Sequence, residues 1–217
     1  MFKTTVQRIM RPLGAALVLT LVVAVFALHV ASAATTTQPA TWPAAPGATT
    51  GASFDRQFID MMVPHHQSAV AMAQVALRRG QHPQIKALAR AIVMDQNREI
   101  AQMRTWRAQW FGGSTTPGMD AMPALPGLKM TMTGMSMMHD IVTLKTARVF
   151  DRAFIDAVMP HHQLAIQAAT LELARGSRPQ LRNMAVAIIK GQSREEGLMT
   201  AYRDLWYGSG KGMMSGM

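Results

Sequence analysis

The stretch Phe58-Ile59-Asp60-Met61-Met62-Val63-Pro64-His65-His66-Gln67 returns 96 residues later as Phe154-Ile155-Asp156-Ala157-Val158-Met159-Pro160-His161-His162-Gln163. The alignment runs without a gap from Phe54-Asp55-Arg56 on Phe150-Asp151-Arg152 to Trp110-Phe111-Gly112 on Trp206-Tyr207-Gly208, and nearly half of its positions are identical. An internal repeat narrows the fold sharply: the two units share one architecture, and stacking them is what buries their apolar faces. Each copy has the length of a helical hairpin rather than of a domain, so the 217-residue chain reads as one domain made of two halves.

Within the first copy, Ser53 is placed to cap a helix whose apolar positions Phe54, Phe58, Ile59, Met62, Ala69, Val70, Ala73 and Leu77 keep helical spacing. Arg78-Arg79-Gly80 then offers cations to the last turn and a glycine for a left-handed cap. Pro83 opens a second helix at the first-turn position, where a missing N–H costs nothing, and Gly112-Gly113 closes it. That helix carries Ile85, Leu88, Ile92, Gln96, Glu99, Met103, Trp106 and Trp110 on one stripe, and the other copy repeats it with Leu181, Met184, Ile188, Gln192, Glu195, Met199, Tyr202 and Trp206. The expected fold is all-α: helical hairpins over 53–113 and 150–208, packed as a four-helix bundle.

A Gln and a Glu on a buried stripe are costly unless something pairs with them. In an antiparallel hairpin, residues equidistant from the turn face one another, and the turn centres near Gln81. His65 and His66 then lie level with Asn97 and Gln96, within about one helical turn of Glu99. His161 and His162 meet Gln192 and Glu195 by the same count. Met62 and Met103 border the first level, Met159 and Met199 the second. Pro64 and Pro160 fall inside these helices; each is expected to kink its helix or start a fresh one, aiming the histidines inward.

Cysteine is absent, so neither a disulfide nor a thiolate site can form, and any soft-metal chemistry must use the 20 methionines. Many of these lie outside the repeats. The segment 114–149 contains Met130, Met132, Met135, Met137 and Met138 followed by His139, and the tail 209–217 ends Met213-Met214-Ser215-Gly216-Met217. Thioethers in a Gly, Ser and Thr context suit copper(I) or silver(I), which accept sulfur where harder ions do not. The alternative is a low-complexity linker without a ligand role.

Residues 1–33 combine Lys3, Arg8 and Arg11, an apolar run from Leu13 to Val30 and Ala31-Ser32-Ala33, the pattern of a secretory signal peptide cleaved before Ala34. An uncleaved anchor is the alternative, because the run approaches the roughly 20 residues that span a bilayer. The location expected is periplasmic, with membrane contact only through an uncleaved signal segment. Residues 34–52, rich in Thr, Pro, Ala and Gly, read as a flexible tether. The formal charge of +10 would suit nucleic acid, but the cations are interspersed with acids and export removes that partner.

The Phe-Asp-x-x-Phe-Ile-Asp-x-x-x-Pro-His-His-Gln signature, with a downstream Gln-x-x-Glu-x-x-x-Met and a terminal Trp, resembles the exported bacterial family known as domain of unknown function 305. The resemblance covers both copies. It implies a ferritin-like four-helix bundle, and some members of that family are associated with periplasmic copper binding and copper tolerance. By position, the His-His motif falls on His65-His66 and His161-His162, and the second-helix motif on Gln96, Glu99, Met103 and on Gln192, Glu195, Met199.

Three functions compete. The first is a non-catalytic copper(I) binder that exchanges metal with copper-transfer proteins. His65, His66, Met62 and Met103 would be its ligands in the first copy and His161, His162, Met159 and Met199 in the second. Gln96, Glu99, Gln192 and Glu195 would orient the imidazoles, and Met130, Met132, Met135, Met137, Met138 and His139 would capture metal. The second is a ferritin-like metal oxidase, disfavoured because each copy offers one core Glu and no Glu-x-x-His. The third is a structural bundle in which the His pair only satisfies the buried Gln and Glu.

Overall fold

The computed structural model describes residues 51–129 and 134–208. The signal segment, residues 34–50 of the tether, residues 130–133 of the linker and the whole tail 209–217 therefore lie outside the described residues. Five α-helices and no strand occur among the described residues: α1 (Gly51–Arg79), α2 (Pro83–Phe111), α3 (Gly134–Thr146), α4 (Phe150–Arg175) and α5 (Pro179–Tyr207), with a 3₁₀ turn at Met119–Ala121. None of these helices is long and apolar enough to cross a membrane. The hairpins α1–α2 and α4–α5 are joined by packing of α1 on α4, and α3 packs against α1. The all-α bundle of two hairpins is thus as the repeat and its periodicity require.

The apolar stripes become the core. Phe54, Phe58, Ile59, Phe150, Phe154 and Ile155 are fully or almost fully buried, together with Ile85, Ile92, Leu181 and Ile188 from the partner helices. Pro83 and Pro179 stand in the first turns of α2 and α5. Gly112 ends α2 in the left-handed region at φ 74°, which a β-carbon would disfavour.

The start of each hairpin grips the turn of the other. Asp55, at the start of α1, accepts from the backbone N–H and hydroxyl of Ser177, at 2.9 and 2.6 Å. Asp151, its duplicate in α4, accepts from the backbone N–H groups of Gln81 and His82 at 2.9 and 2.8 Å. Beside these clasps, His82 stacks on Trp206 at 3.8 Å, whereas the duplicate pair places the Arg178 guanidinium 4.2 Å above Trp110.

Several expectations are corrected. Ser53 lies inside helix α1 rather than at its cap, its hydroxyl accepting from Gln57 Nε2 at 3.2 Å. Gly80 is not left-handed; its N–H donates to the Ala76 carbonyl at 2.8 Å, and a β-carbon there would lie 2.7 Å from that oxygen, so close approach is what demands glycine. Neither Pro64 nor Pro160 starts a new helix, since α1 and α4 run unbroken through them.

The methionine-rich segment, open in the sequence to a low-complexity reading, contains helix α3. Met137, Ile141 and Leu144 recur at helical spacing, and Met137 and Leu144 are buried against the bundle. Arg79 fixes the end of α3 by donating to the carbonyls of Leu144 and Ala147.

Candidate metal-binding site

All four motif histidines are fully buried. They form a row across the seam between the hairpins. His65 of α1 and His161 of α4 lie ring to ring with centroids 3.7 Å apart, and His66 and His162 flank them at 6.1 and 6.4 Å from their sequence neighbours.

Each outer histidine is tied to the glutamate of its own hairpin. His66 Nε2 lies 2.8 Å from Glu99 Oε2, and His162 Nε2 lies 2.7 Å from Glu195 Oε2. With an ionised glutamate accepting, Nε2 carries the proton and Nδ1 is left with a bare lone pair. The Nδ1 atoms of His66, His161 and His162 are buried without a hydrogen-bond partner, as are both ring nitrogens of His65. Burial holds His65 and His161 well below the ordinary 6.5, and the neighbouring imidazoles push in the same direction. The inner pair is therefore neutral at physiological pH, the state in which imidazole binds metal.

A serine unforeseen from the sequence sits beside this pair. Ser68 is fully buried; its hydroxyl lies 2.6 Å from His161 Nε2, 2.7 Å from the His65 carbonyl and 3.2 Å from Met137 Sδ. The only sequence signal for it is the difference between copies, because the duplicate of Ser68 is Leu164.

The other predicted residues are dispersed. Met62 and Met103 are fully buried in one apolar cluster, while Met199 belongs to another, against which the half-buried Met159 packs. Gln96 and Gln192 are buried, but neither orients an imidazole: the Gln96 Oε1 and the whole Gln192 amide are without hydrogen-bond partners, so that task falls to the glutamates alone. Met138 and His139 are exposed, whereas Met137 is buried and cannot serve as a surface trap. Met130, Met132 and the Met135 side chain lie outside the described residues.

The motif aspartates, assigned no role in the sequence reading, hold the far ends of the hairpins. Arg107 donates to Asp60, and Arg203 donates to Asp156 at 2.7 Å. Glu99 also reaches a groove of about 660 Å³ between α2 and α5, walled by Arg98, Trp106, Met184 and Arg194. Its side chain is 20% exposed against 8% for Glu195, so the two ends of the histidine row differ in access to water. Among the described residues, no group of three or more His, Asp or Glu side chains is placed to hold a metal ion.

Two duplicated hairpins closed around a row of buried histidines define an all-α bundle of a recognisable class. The chain belongs to the family described as domain of unknown function (DUF305), whose model matches residues 55–203. The chain is similar to CopM in its Cu(I)-bound form, with 40% identity and a TM-score of 0.59 over 71% of this chain and 98% of that one. It is equally similar to silver-bound CopM, with 39% identity and a TM-score of 0.58 over 71% and 97%. A DUF305 fragment from Deinococcus radiodurans, 24% identical with a TM-score of 0.57 over 74% of this chain and 97% of that one, shares the fold. Uncharacterized protein L153 of Acanthamoeba polyphaga mimivirus is 37% identical over 51 residues, 24% of this chain, and the chain spans about a third of that relative's length at 34%.

Proposed function

We propose that this protein is an exported, non-catalytic binder of copper(I) or silver(I) that serves copper tolerance or trafficking. The observation that carries the reading is the row of four buried histidines in which five ring nitrogens have no hydrogen-bond partner. A buried polar atom without a partner costs roughly 1–3 kcal/mol, so five in one seam are a standing expense unless a ligand meets them. Solved structures of CopM in Cu(I)-, Cu(II)- and silver-bound forms support the choice of metal. Neutral imidazole and thioether are donors that such soft ions accept.

In this reading the imidazoles supply nitrogen, and buried methionines such as Met62 and Met103 are at hand to supply sulfur. Glu99 and Glu195 hold His66 and His162 with Nδ1 free. Export rests on the basic, apolar and Ala-Ser-Ala features of residues 1–33. Exchange with copper-transfer proteins completes the proposal.

A structural role for the row is favoured by its hydrogen bonds, the two His–Glu pairs and Ser68 with His161. Competition titration of copper(I) against a chelator separates the two readings. The parent should bind tightly, the double variant His65→Ala/His66→Ala should lose the tight site, and Glu99→Gln should weaken it about 10- to 100-fold. Equal binding by all three, with thermal destabilisation of the double variant, would make the row a hydrogen-bond network.

A further inference from the structure

The sequence repeats, but the polar contacts at the centre of the bundle do not. Around the Ser68 hydroxyl stand His161 Nε2 at 2.6 Å, the His65 carbonyl at 2.7 Å and Met137 Sδ at 3.2 Å. A hydroxyl has one proton to give. If it goes to His161 Nε2, the carbonyl and the thioether face oxygen lone pairs. If His161 Nε2–H donates to Ser68 instead, the hydroxyl proton is free for the Met137 thioether, because the His65 carbonyl lies inside the unbroken helix α1 and has a backbone N–H as well. In both arrangements no proton of this group is left over for the ring of His65.

The unmet lone pair lies on His65. A neutral imidazole has one bare nitrogen; neither ring nitrogen of His65 makes a hydrogen bond of good geometry, although the His161 backbone favours a proton on the ring, and that ring lies 3.7 Å from the ring of His161. Met137 reaches this place from α3, a third element that neither hairpin supplies, and it is buried to 0% exposure. A methionine needing only an apolar berth could pack among the aliphatic side chains of the core; this one sets its sulfur against a hydroxyl that also touches an imidazole. On the duplicated side Leu164 replaces Ser68 and brings no polar atom, so the arrangement exists once.

We infer that the soft-metal site is shared between the hairpins rather than repeated in each, with His65 of α1, His161 of α4 and Met137 of α3 as its ligands. The inference rests on the copper reading of the histidine row and names the residues that would meet the ion. Two neutral imidazoles and a thioether, with no carboxylate among them, are a donor set for copper(I) or silver(I) and a poor one for a hard divalent ion. The cation would supply the positive charge that a second proton would bring, with the Ser68 hydroxyl giving its proton to the His65 carbonyl and leaving the Met137 sulfur lone pair free. Met137 would then be a ligand of the bundle rather than of a free linker, and loading would fasten α3 to the seam.

The experiment uses the mature chain and three proteins: parent, Met137→Leu, and Met72→Leu as a control at a buried methionine packed in the apolar cluster of Leu144, Phe150 and Phe154. Leucine keeps most of the volume and removes the sulfur, a swap that cores usually tolerate. Copper(I) affinity is read by chelator competition, and the ligand atoms by X-ray absorption at the copper edge. The parent and Met72→Leu should show nitrogen with one sulfur neighbour; Met137→Leu should lose the sulfur signal and at least about tenfold in affinity, the order expected when one ligand-supporting group is removed. Methionine-methyl NMR of the unmutated chain gives a second reading that no folding defect can disturb: one equivalent of silver(I) should shift the Met137 methyl and leave Met72 unmoved. If Met137→Leu binds as the parent does and retains the sulfur neighbour, the shared site is wrong while the copper reading stands, and Met62 or Met103 becomes the sulfur donor. If the parent itself binds no copper(I), the copper reading falls first, and the shared site falls with it.

Discussion

Asp151 holds His82 twice, accepting from its backbone N–H at 2.8 Å and facing its Nδ1 at 2.6 Å, although the two residues belong to different hairpins. The carboxylate is fully buried and also accepts from the Gln81 N–H. It satisfies donors of a loop that would otherwise turn them toward the bundle without partners.

Asp151→Ala should therefore destabilise the protein by about 2–3 kcal/mol, the range for losing hydrogen bonds to a charged group and stranding the donors. Denaturant unfolding of parent and variant measures it. A change below about 0.5 kcal/mol, the level of an ordinary surface substitution, would show that the clasp is dispensable.

The same clasp, with its duplicate Asp55 on Ser177, predicts that one hairpin is not self-sufficient. The fragment 53–113, expressed alone, should fail to melt cooperatively as a monomer, because it loses both the apolar cover of α4 and a carboxylate for its turn. A sharply melting monomer would contradict this.

Stability should vary with pH through Glu172. Burial, then the neighbouring Asp55 carboxylate, raises its carboxyl from the ordinary 4.5 to about 10, so the folded protein keeps this proton where the unfolded chain has released it. A raised folded value gives stability that is full below pH 4.5 and is lost as the pH climbs toward 10. The neutral His65 and His161 act oppositely: their folded values are depressed, so their contribution is present above 6.5 and lost as the pH falls below it. Urea midpoints for parent and Glu172→Gln should thus separate between pH 7 and pH 9, with the variant less sensitive to alkali. Parallel profiles over that window would mean that Glu172 carries no such proton.

Intact-mass measurement on the periplasmic fraction should find a chain that starts at Ala34. A membrane-bound product retaining Met1 would replace the signal peptide with an anchor.

The hairpins were legible because each rests on local rules. Apolar spacing, Pro83 and Gly112 delimit the second helix, and counting from the turn carried His66 to Glu99, now 2.8 Å apart. The count stops at the edge of one hairpin. It gave no means of seeing that His65 faces His161, or that Asp55 and Asp151 reach across, since those contacts depend on how the halves dock. The α3 helix was hidden for another reason: Gly134, Ser136 and the surrounding methionines resemble low complexity, and among the described side chains Met137, Ile141 and Leu144 carry its apolar face. Gln96 and Gln192 misled by position, because sharing a stripe with the glutamates does not bring their amides into reach of the imidazoles.

Three positions show what joining the copies in one chain permits. Ser68 stands opposite Leu164, Ala76 opposite Glu172, and His82 opposite Arg178. In a symmetric pair of identical hairpins every substitution is made twice, so a buried carboxyl such as Glu172 would appear on both sides and double its cost. A tandem gene releases each site from its mirror image. One half can then take on chemistry while the other keeps the packing that holds them together.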